Sequence, residues 1–168
     1  LPAMSAPLLE VAPFLPRRFY AHLTPALADV LQTHWVDEFH GHYQRMVLAD
    51  GNAPGRVDTS RCVTLGPAHE QEAVAFYAEA YPGNWFDPRM LETGQYFGVR
   101  ENNHLVAVAG VHVFSRAYRV AALGNISVRQ SHRRRGLGLQ GTARACMSLL
   151  AACRVIGLKV RRDNAPAV

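Results

Sequence analysis

The sequence predicts an α/β (α+β) fold built on a mixed, mostly antiparallel sheet flanked by helices. Three observations support this. Strand-forming runs at 96–100, 105–114 and 120–128 follow one another across the short turns Glu101-Asn-Asn-His104 and Ser115-Arg-Ala-Tyr118, so these neighbours run antiparallel. Beyond Gly138, the residues Leu139, Ala143, Cys146, Met147, Leu150 and Cys153 recur at spacings of three and four, which marks a helix over 137–152. That helix carries the chain across to a last strand at 155–160, and a crossover of this kind delivers a parallel strand.

Taken from the N-terminus, residues 1–16 hold four prolines and little charge, which argues for an extended arm rather than a helix. Thr24-Pro25 supplies the N-cap and first-position proline of a short helix reaching Leu31, and 35–48 mixes strand-like and polar residues without a clear period. Asp50-Gly-Asn-Ala-Pro-Gly55 reads as a linker, so a boundary is expected between an N-terminal arm and lobe at 1–55 and a main domain at 56–168. In that domain 61–65 reads as a strand and Gly66-Pro67 as a turn. A helix at 68–80 follows, with Ala73, Phe76, Tyr77 and Ala80 on its apolar side. Residues 81–88 form an aromatic-rich loop, and 89–93 a short helix before Gly94.

Composition bounds the possibilities. With 168 residues and 49% hydrophobic content, the chain buries one good core and at most a small further lobe. A net charge of +5 and an isoelectric point near 9.5 suit an anionic partner without choosing among nucleic acid, membrane surface and a phosphorylated cofactor. Cys62, Cys146 and Cys153 lack metal-like spacing and read as thiols of a reducing compartment. No apolar run approaches the roughly eighteen residues of a membrane span and no leader pattern is visible, so a cytoplasmic location is expected. Glu38-Phe-His40-Gly-His42 would share one face of a strand. Eight histidines cluster readily by chance, however, and no metal is expected there.

The most informative segment is Val128-Arg-Gln-Ser-His-Arg-Arg-Arg-Gly-Leu-Gly138, a strand end, a basic loop and a glycine pair that opens a helix. The first amides of a helix lack intrahelical partners and carry the positive end of its dipole, so they suit a pyrophosphate. Gly136 and Gly138 remove the Cβ atoms that would hold a diphosphate off the backbone, and Arg133, Arg134 and Arg135 add charged donors. A solvated basic turn is the plain alternative for the arginines. Their place between an apolar strand and a helix start favours the phosphate role, and no nucleic-acid or membrane partner is expected.

Gly136-Leu-Gly138-Leu-Gln-Gly141 also spells the dinucleotide fingerprint. In a dinucleotide fold the strand runs straight into the first glycine, whereas seven polar residues separate Val128 from Gly136 here, and repeated parallel units are missing. A nucleotide-triphosphate loop would need a lysine where Thr142 stands. The remaining pattern resembles the GNAT superfamily of acyl-CoA-dependent N-acetyltransferases. Arg133-Arg-Arg-Gly136-Leu-Gly138 matches that superfamily's Arg/Gln-x-x-Gly-x-Gly/Ala loop, and the element order over 61–160 is the order of its fold.

The resemblance implies that the amides of Arg133, Arg134, Arg135, Gly136, Leu137, Gly138 and Leu139 hold the pyrophosphate of acetyl-CoA, and that Ile126, Ser127 and Val128 pair with its pantetheine arm. It implies further that the strand at 120–128 splays from its parallel neighbour, with Gly124-Asn125 a plausible bulge, and that the amide near Ile126 polarises the thioester carbonyl. An amine acceptor would attack the thioester directly in a ternary complex. Some members carry a glutamate where Ala122 stands, which leaves His112 as a candidate base and Asn125 as a candidate for positioning water or substrate. Structural roles for His112 and Asn125 are the competing readings. Trp85 and Phe86 would wall the acceptor slot, unless they are ordinary core aromatics.

Asn164 matches an asparagine that precedes, by seven residues, the tyrosine protonating the thiolate in many members, and that tyrosine would fall past Val168. The last elements of the usual fold are therefore expected to be missing. Strand 155–160 would then be an open edge, inviting a homodimer or the N-terminal lobe. A non-catalytic acyl-CoA-binding module is the alternative function, and an NAD(P)-binding protein a more distant one.

Overall fold

The computed structural model describes residues 2–32 and 34–167. The chain divides into two compact units, residues 1–41 and 42–168. In the first, α1 (Pro2–Val11) and a 3-10 turn (Ala12–Phe14) precede α2 (Pro25–Leu31). The expected extended arm over 1–16 is thus corrected to a helix. Pro2 stands at its first position, where a missing N–H costs nothing, and Pro7 removes one bond from a run otherwise made of helix-tolerant residues. Phe19 and Trp35 meet edge to face within the same unit.

The second unit is a six-stranded sheet, β1 (Tyr43–Val47), β2 (Cys62–Leu65), β3 (Tyr96–Glu101), β4 (His104–Ser115), β5 (Val120–Val128) and β6 (Val155–Arg161), in the order β1-β6-β5-β4-β3-β2. Only β5 and β6 run parallel, and the other pairs are antiparallel. The mixed, mostly antiparallel sheet is as expected. The segment 50–55, expected to separate lobe from domain, lies inside this unit because β1 joins the sheet ahead of it. The same pairing fills the edge of β6 from within the stretch 1–55, one of the two occupants expected for it: β1 covers β6 from Tyr43 opposite Arg161 to Val47 opposite Gly157. The period of 35–48 could not reveal this, since β1 is an outer strand whose burial alternates between half-buried and exposed.

The turn between β3 and β4 places Asn102 and Asn103 at positive φ, the conformation a two-residue hairpin requires and asparagine tolerates. Helix α3 (Glu70–Ala80) follows a 3-10 turn whose first amide, that of Gly66, donates to His69 Nδ1. Helix α4 (Leu137–Leu150) lies against β3, β4 and β5. Its buried residues are Leu137, Gly141, Ala143, Ala145, Cys146 and Leu149; of the face expected from the spacing, Ala143, Cys146 and Cys153 are buried while Leu139, Met147 and Leu150 are exposed, so that face is rotated in part. Small residues decide the rotation: a Cβ on Gly141 would lie 3.1 Å from that of Ala109, so the helix sits close on the strand.

Ala109 faces α4, and the next residue, Gly110, faces the ring of Tyr96 on the opposite side of the sheet. Phe76, Tyr77, Leu91, Tyr96, Phe97 and Leu149 are among the fully buried side chains of the core. Residues 165–167 form a 3-10 turn, where the sequence suggests the start of a helix.

Candidate functional site

Two strand irregularities shape the site. Val108 pairs with Ser127 and Gly110 with Gly124, so two steps on β4 face three on β5, and the extra residue falls at Asn125–Ile126. Asn125 has φ +51°, a left-handed value that asparagine accepts more readily than most residues. A second shift lies between Val111 and Val113 and leaves His112 as the extra residue of β4. The parallel pairing of β5 with β6 covers Val120 to Leu123 only, so Gly124 to Val128 have no partner on β6. The splay that the resemblance implies is therefore present, the bulge lies at Asn125–Ile126 rather than at the expected Gly124-Asn125, and the backbone of Ile126, Ser127 and Val128 has no partner on β6. Ser127 is buried, its hydroxyl donating to the carbonyl of Ala80.

His112 and Asn125, predicted separately, meet at 3.0 Å between His112 Nε2 and Asn125 Oδ1. Asn125 is buried, and its Nδ2 donates to the hydroxyl of Tyr96 at 2.9 Å. The Tyr96 hydroxyl lies 3.0 Å from the carbonyl of Val111 and 3.2 Å from Met90 Sδ, while Tyr77 donates to the carbonyl of Asn125 at 2.6 Å. Burial pushes the Tyr96 hydroxyl up to about 12, against a smaller downward pull from the Asn125 hydrogen bond. Burial raises Tyr77 further still, so both phenols stay protonated at neutral pH. Phe86 stacks between them, 4.6 Å from Tyr77 and 5.7 Å from Tyr96 between ring centroids, whereas Trp85 beside it is exposed. The two candidate acceptor residues thus separate, one joining the core and one facing outward. Tyr77, Tyr96 and Met90 were not read from the sequence as site residues. Each looks like an ordinary apolar-face residue in its own segment.

The loop after β5 leads to α4 through Arg134 at φ +60° and Gly136 at φ +73°, the latter being the residue before the first helical position. Gln140 donates to the carbonyl of Gly136, so the amides of Leu137, Gly138 and Leu139 lie ahead of the first intrahelical bond. The three arginines behave differently. Arg133 reaches the carbonyl of Val128 at 3.3 Å, while Arg135 forms a fork with Glu101 at 3.1 and 2.8 Å. Arg61 and His132 also approach Glu101, at 2.8 and 3.3 Å, and the Arg61 hydrogen bond leads in holding its carboxyl below the usual carboxylate range. The Arg135 guanidinium therefore ties the loop to the β3–β4 hairpin. Arg129 anchors the other end, donating to Leu105 O and pairing with Glu79. Asn164 is exposed in the turn after β6, its amide bonded to Arg161 O.

A cradle of this kind suits a pyrophosphate with an extended arm: no Cβ projects from Gly136 or Gly138, the first helix amides precede the first intrahelical bond, and the end of β5 beside them has no partner on β6. Among the described residues no group of three or more His, Cys, Asp or Glu is placed to hold a metal ion, and no helix is long and apolar enough to cross a membrane.

A mixed sheet that parts beside a glycine-opened helix defines an acetyltransferase class of fold. Residues 63–168 match the Acetyltransferase (GNAT) family, and the chain belongs to that family, whose general reaction is acetyl transfer from acetyl-CoA. A GNAT-family structure from Novosphingobium aromaticivorans is 26% identical and superposes with a TM-score of 0.61, over 74% of this chain and 54% of that one. An acetyltransferase of the same family from Colwellia psychrerythraea is 15% identical, with a TM-score of 0.57 over 76% of this chain and 50% of that one. The ribosomal-protein-S18-alanine N-acetyltransferase of Escherichia coli shares the fold at 22% identity and a TM-score of 0.51, over 63% of this chain and 70% of that one. This chain spans about half the length of the first two. No curated protein matches it in sequence.

Proposed function

We propose that the chain is an acetyl-CoA-dependent N-acetyltransferase acting on an amine of a small molecule or peptide, by direct attack in a ternary complex. The observation that carries this reading is the parting of β5 from β6 directly ahead of the glycine-opened helix. In this reading the amides from Arg133 to Leu139 bind the pyrophosphate, with Arg133 and Arg134 adding charge, and the open edge at Ile126, Ser127 and Val128 aligns the pantetheine arm. Asn164, in the turn after β6, adds a polar contact to the cofactor in this reading. Acetyl-CoA supplies a thioester whose acyl carbon accepts the amine; collapse of the resulting adduct breaks the C–S bond and releases the CoA thiolate, which takes a proton from water. The amide at Ile126 donates to the carbonyl oxygen as charge gathers there. His112 takes the proton from the attacking amine, directly or through one water, and Asn125 orients it. Trp85 and Phe86 border the acceptor side.

A second reading, an acyl-CoA-binding module without transfer, draws support from Ala122, a side chain with no proton chemistry at the position where some family members carry a glutamate. Thiol release measured with acetyl-CoA and a panel of small amines and peptides separates the two. The first reading expects turnover with at least one acceptor, and about a 100-fold loss of kcat in His112→Gln with acetyl-CoA affinity retained. Tight binding with no turnover across the panel would favour the module.

A further inference from the structure

The geometry points to Asn125 and Tyr96 as positioning residues that fix His112 as its Nε2–H tautomer, leaving Nδ1 as the lone pair that takes the acceptor's proton. This rests on the reading of His112 as base, and it deepens that reading by naming the reactive nitrogen and the groups that select it.

The argument follows the hydrogens. Tyr96 has one hydroxyl proton, and the carbonyl of Val111 at 3.0 Å can only accept it. Met90 Sδ, at 3.2 Å, is a much weaker acceptor. Once the proton points at Val111, the Tyr96 oxygen must accept from Asn125, and only the amide nitrogen can donate. Nδ2 thus faces Tyr96 and Met90, at 2.9 and 3.5 Å, which turns Oδ1 toward His112. The opposite amide orientation would draw the hydroxyl proton to Oδ1 and away from the carbonyl of Val111, and would set an Nδ2–H donor against Nε2, the pattern of the other tautomer. An acceptor at 3.0 Å from Nε2 requires a proton on Nε2, and in a neutral imidazole that leaves Nδ1 unprotonated.

The ring is also held in plane. A Cβ on Gly124 would collide with Cγ, Nδ1 and Cδ2 of His112, so the imidazole lies flat over the glycine. The Tyr96 ring occupies the equivalent space over Gly110, the direct cross-strand partner of Gly124. A glycine pair thus seats both rings on one face, with the Asn125 amide joining them.

Two-bond proton–nitrogen correlation spectra of the wild-type chain, with the imidazoles labelled and His112 assigned by His112→Gln, read the tautomer directly. They require neither acetyl-CoA nor acceptor. The Nε2–H form at a pH where His112 is neutral supports the assignment, and the Nδ1–H form overturns it. Tyr96→Phe keeps the buried ring and removes the oxygen, so the spectrum should shift toward a mixture of tautomers and kcat should fall about tenfold with KM for acetyl-CoA unchanged. An unaltered tautomer in Tyr96→Phe would remove Tyr96 from the assignment. Asn125→Ala should abolish the preference in the same way, and persistence of the wild-type pattern there would overturn the role of Asn125. Nε2–H together with full activity in His112→Gln would sink the base and leave the tautomer standing, so the two failures are distinguishable.

Discussion

Gly110 and Gly124 pair across β4 and β5, yet replacing each should do opposite things. An alanine at Gly110 would drive its methyl into the Tyr96 ring, which is fully buried and cannot withdraw. The expected cost is about 1–3 kcal/mol of stability, read as a lowered denaturation midpoint. At Gly124 the colliding group is the ring of exposed His112, which can swing into solvent. Gly124→Ala should therefore leave the midpoint nearly unchanged while lowering kcat, and an active Gly124→Ala enzyme would contradict the account of His112. His112 was legible as a candidate because imidazole suits proton transfer, and Asn125 because a carboxamide can position water or substrate. That they touch was not, since the contact depends on one extra residue in each strand. Tyr77 and Tyr96 were invisible for a related reason: their hydroxyls converge on Asn125 from segments 48 and 29 residues away.

The meander and the loop into α4 were read from their local signals, whereas β1, held by a distant partner, was not. The β3–β4–β5 meander announces itself through its turns, and the loop into α4 through its glycines. β1 has no such signal, because its partner β6 lies more than a hundred residues on. Leu48 donates to Ile156 and His42 accepts from Arg162, so by two-residue alternation Met46 hydrogen-bonds β6 as well. Met46→Pro should cost about 1–3 kcal/mol by orphaning a ladder group, and an unchanged midpoint would show that β1 does not secure β6. The segment Pro88–Thr93, which carries Met90 to the site, is capped by Asp87. The Arg89 ion pair, followed by the Arg89 amide, holds the Asp87 carboxyl at about 2. A carboxyl depressed in the folded state contributes stability above its unfolded value near 3.9, and the contribution is lost as pH falls toward about 2. The Asp87 side chain is more than a third exposed to solvent, which screens the pair and keeps the effect small. Asp87→Asn should flatten the loss of thermal stability between about pH 4 and pH 2, measured by calorimetry at matched ionic strength.

For the molecule entire, charge and cradle point the same way. A net charge of +5 attracts anions in general, and the glycine-opened α4 beside the open edge of β5 narrows the class to a pyrophosphate with an extended arm. The dinucleotide alternative shares the glycines but not the parted strands. Gly138→Asp separates binding from folding, because a carboxylate in the first turn of α4 suits the helix dipole yet repels a diphosphate. Titration calorimetry of acetyl-CoA into the wild-type chain and Gly138→Asp, with NADPH as the control, is the most direct test. The expected result is one acetyl-CoA per chain, affinity at least about tenfold weaker in Gly138→Asp, and no saturable NADPH binding. Absence of acetyl-CoA binding to the wild-type chain, or equal affinity in the variant, would contradict the assignment of this cradle.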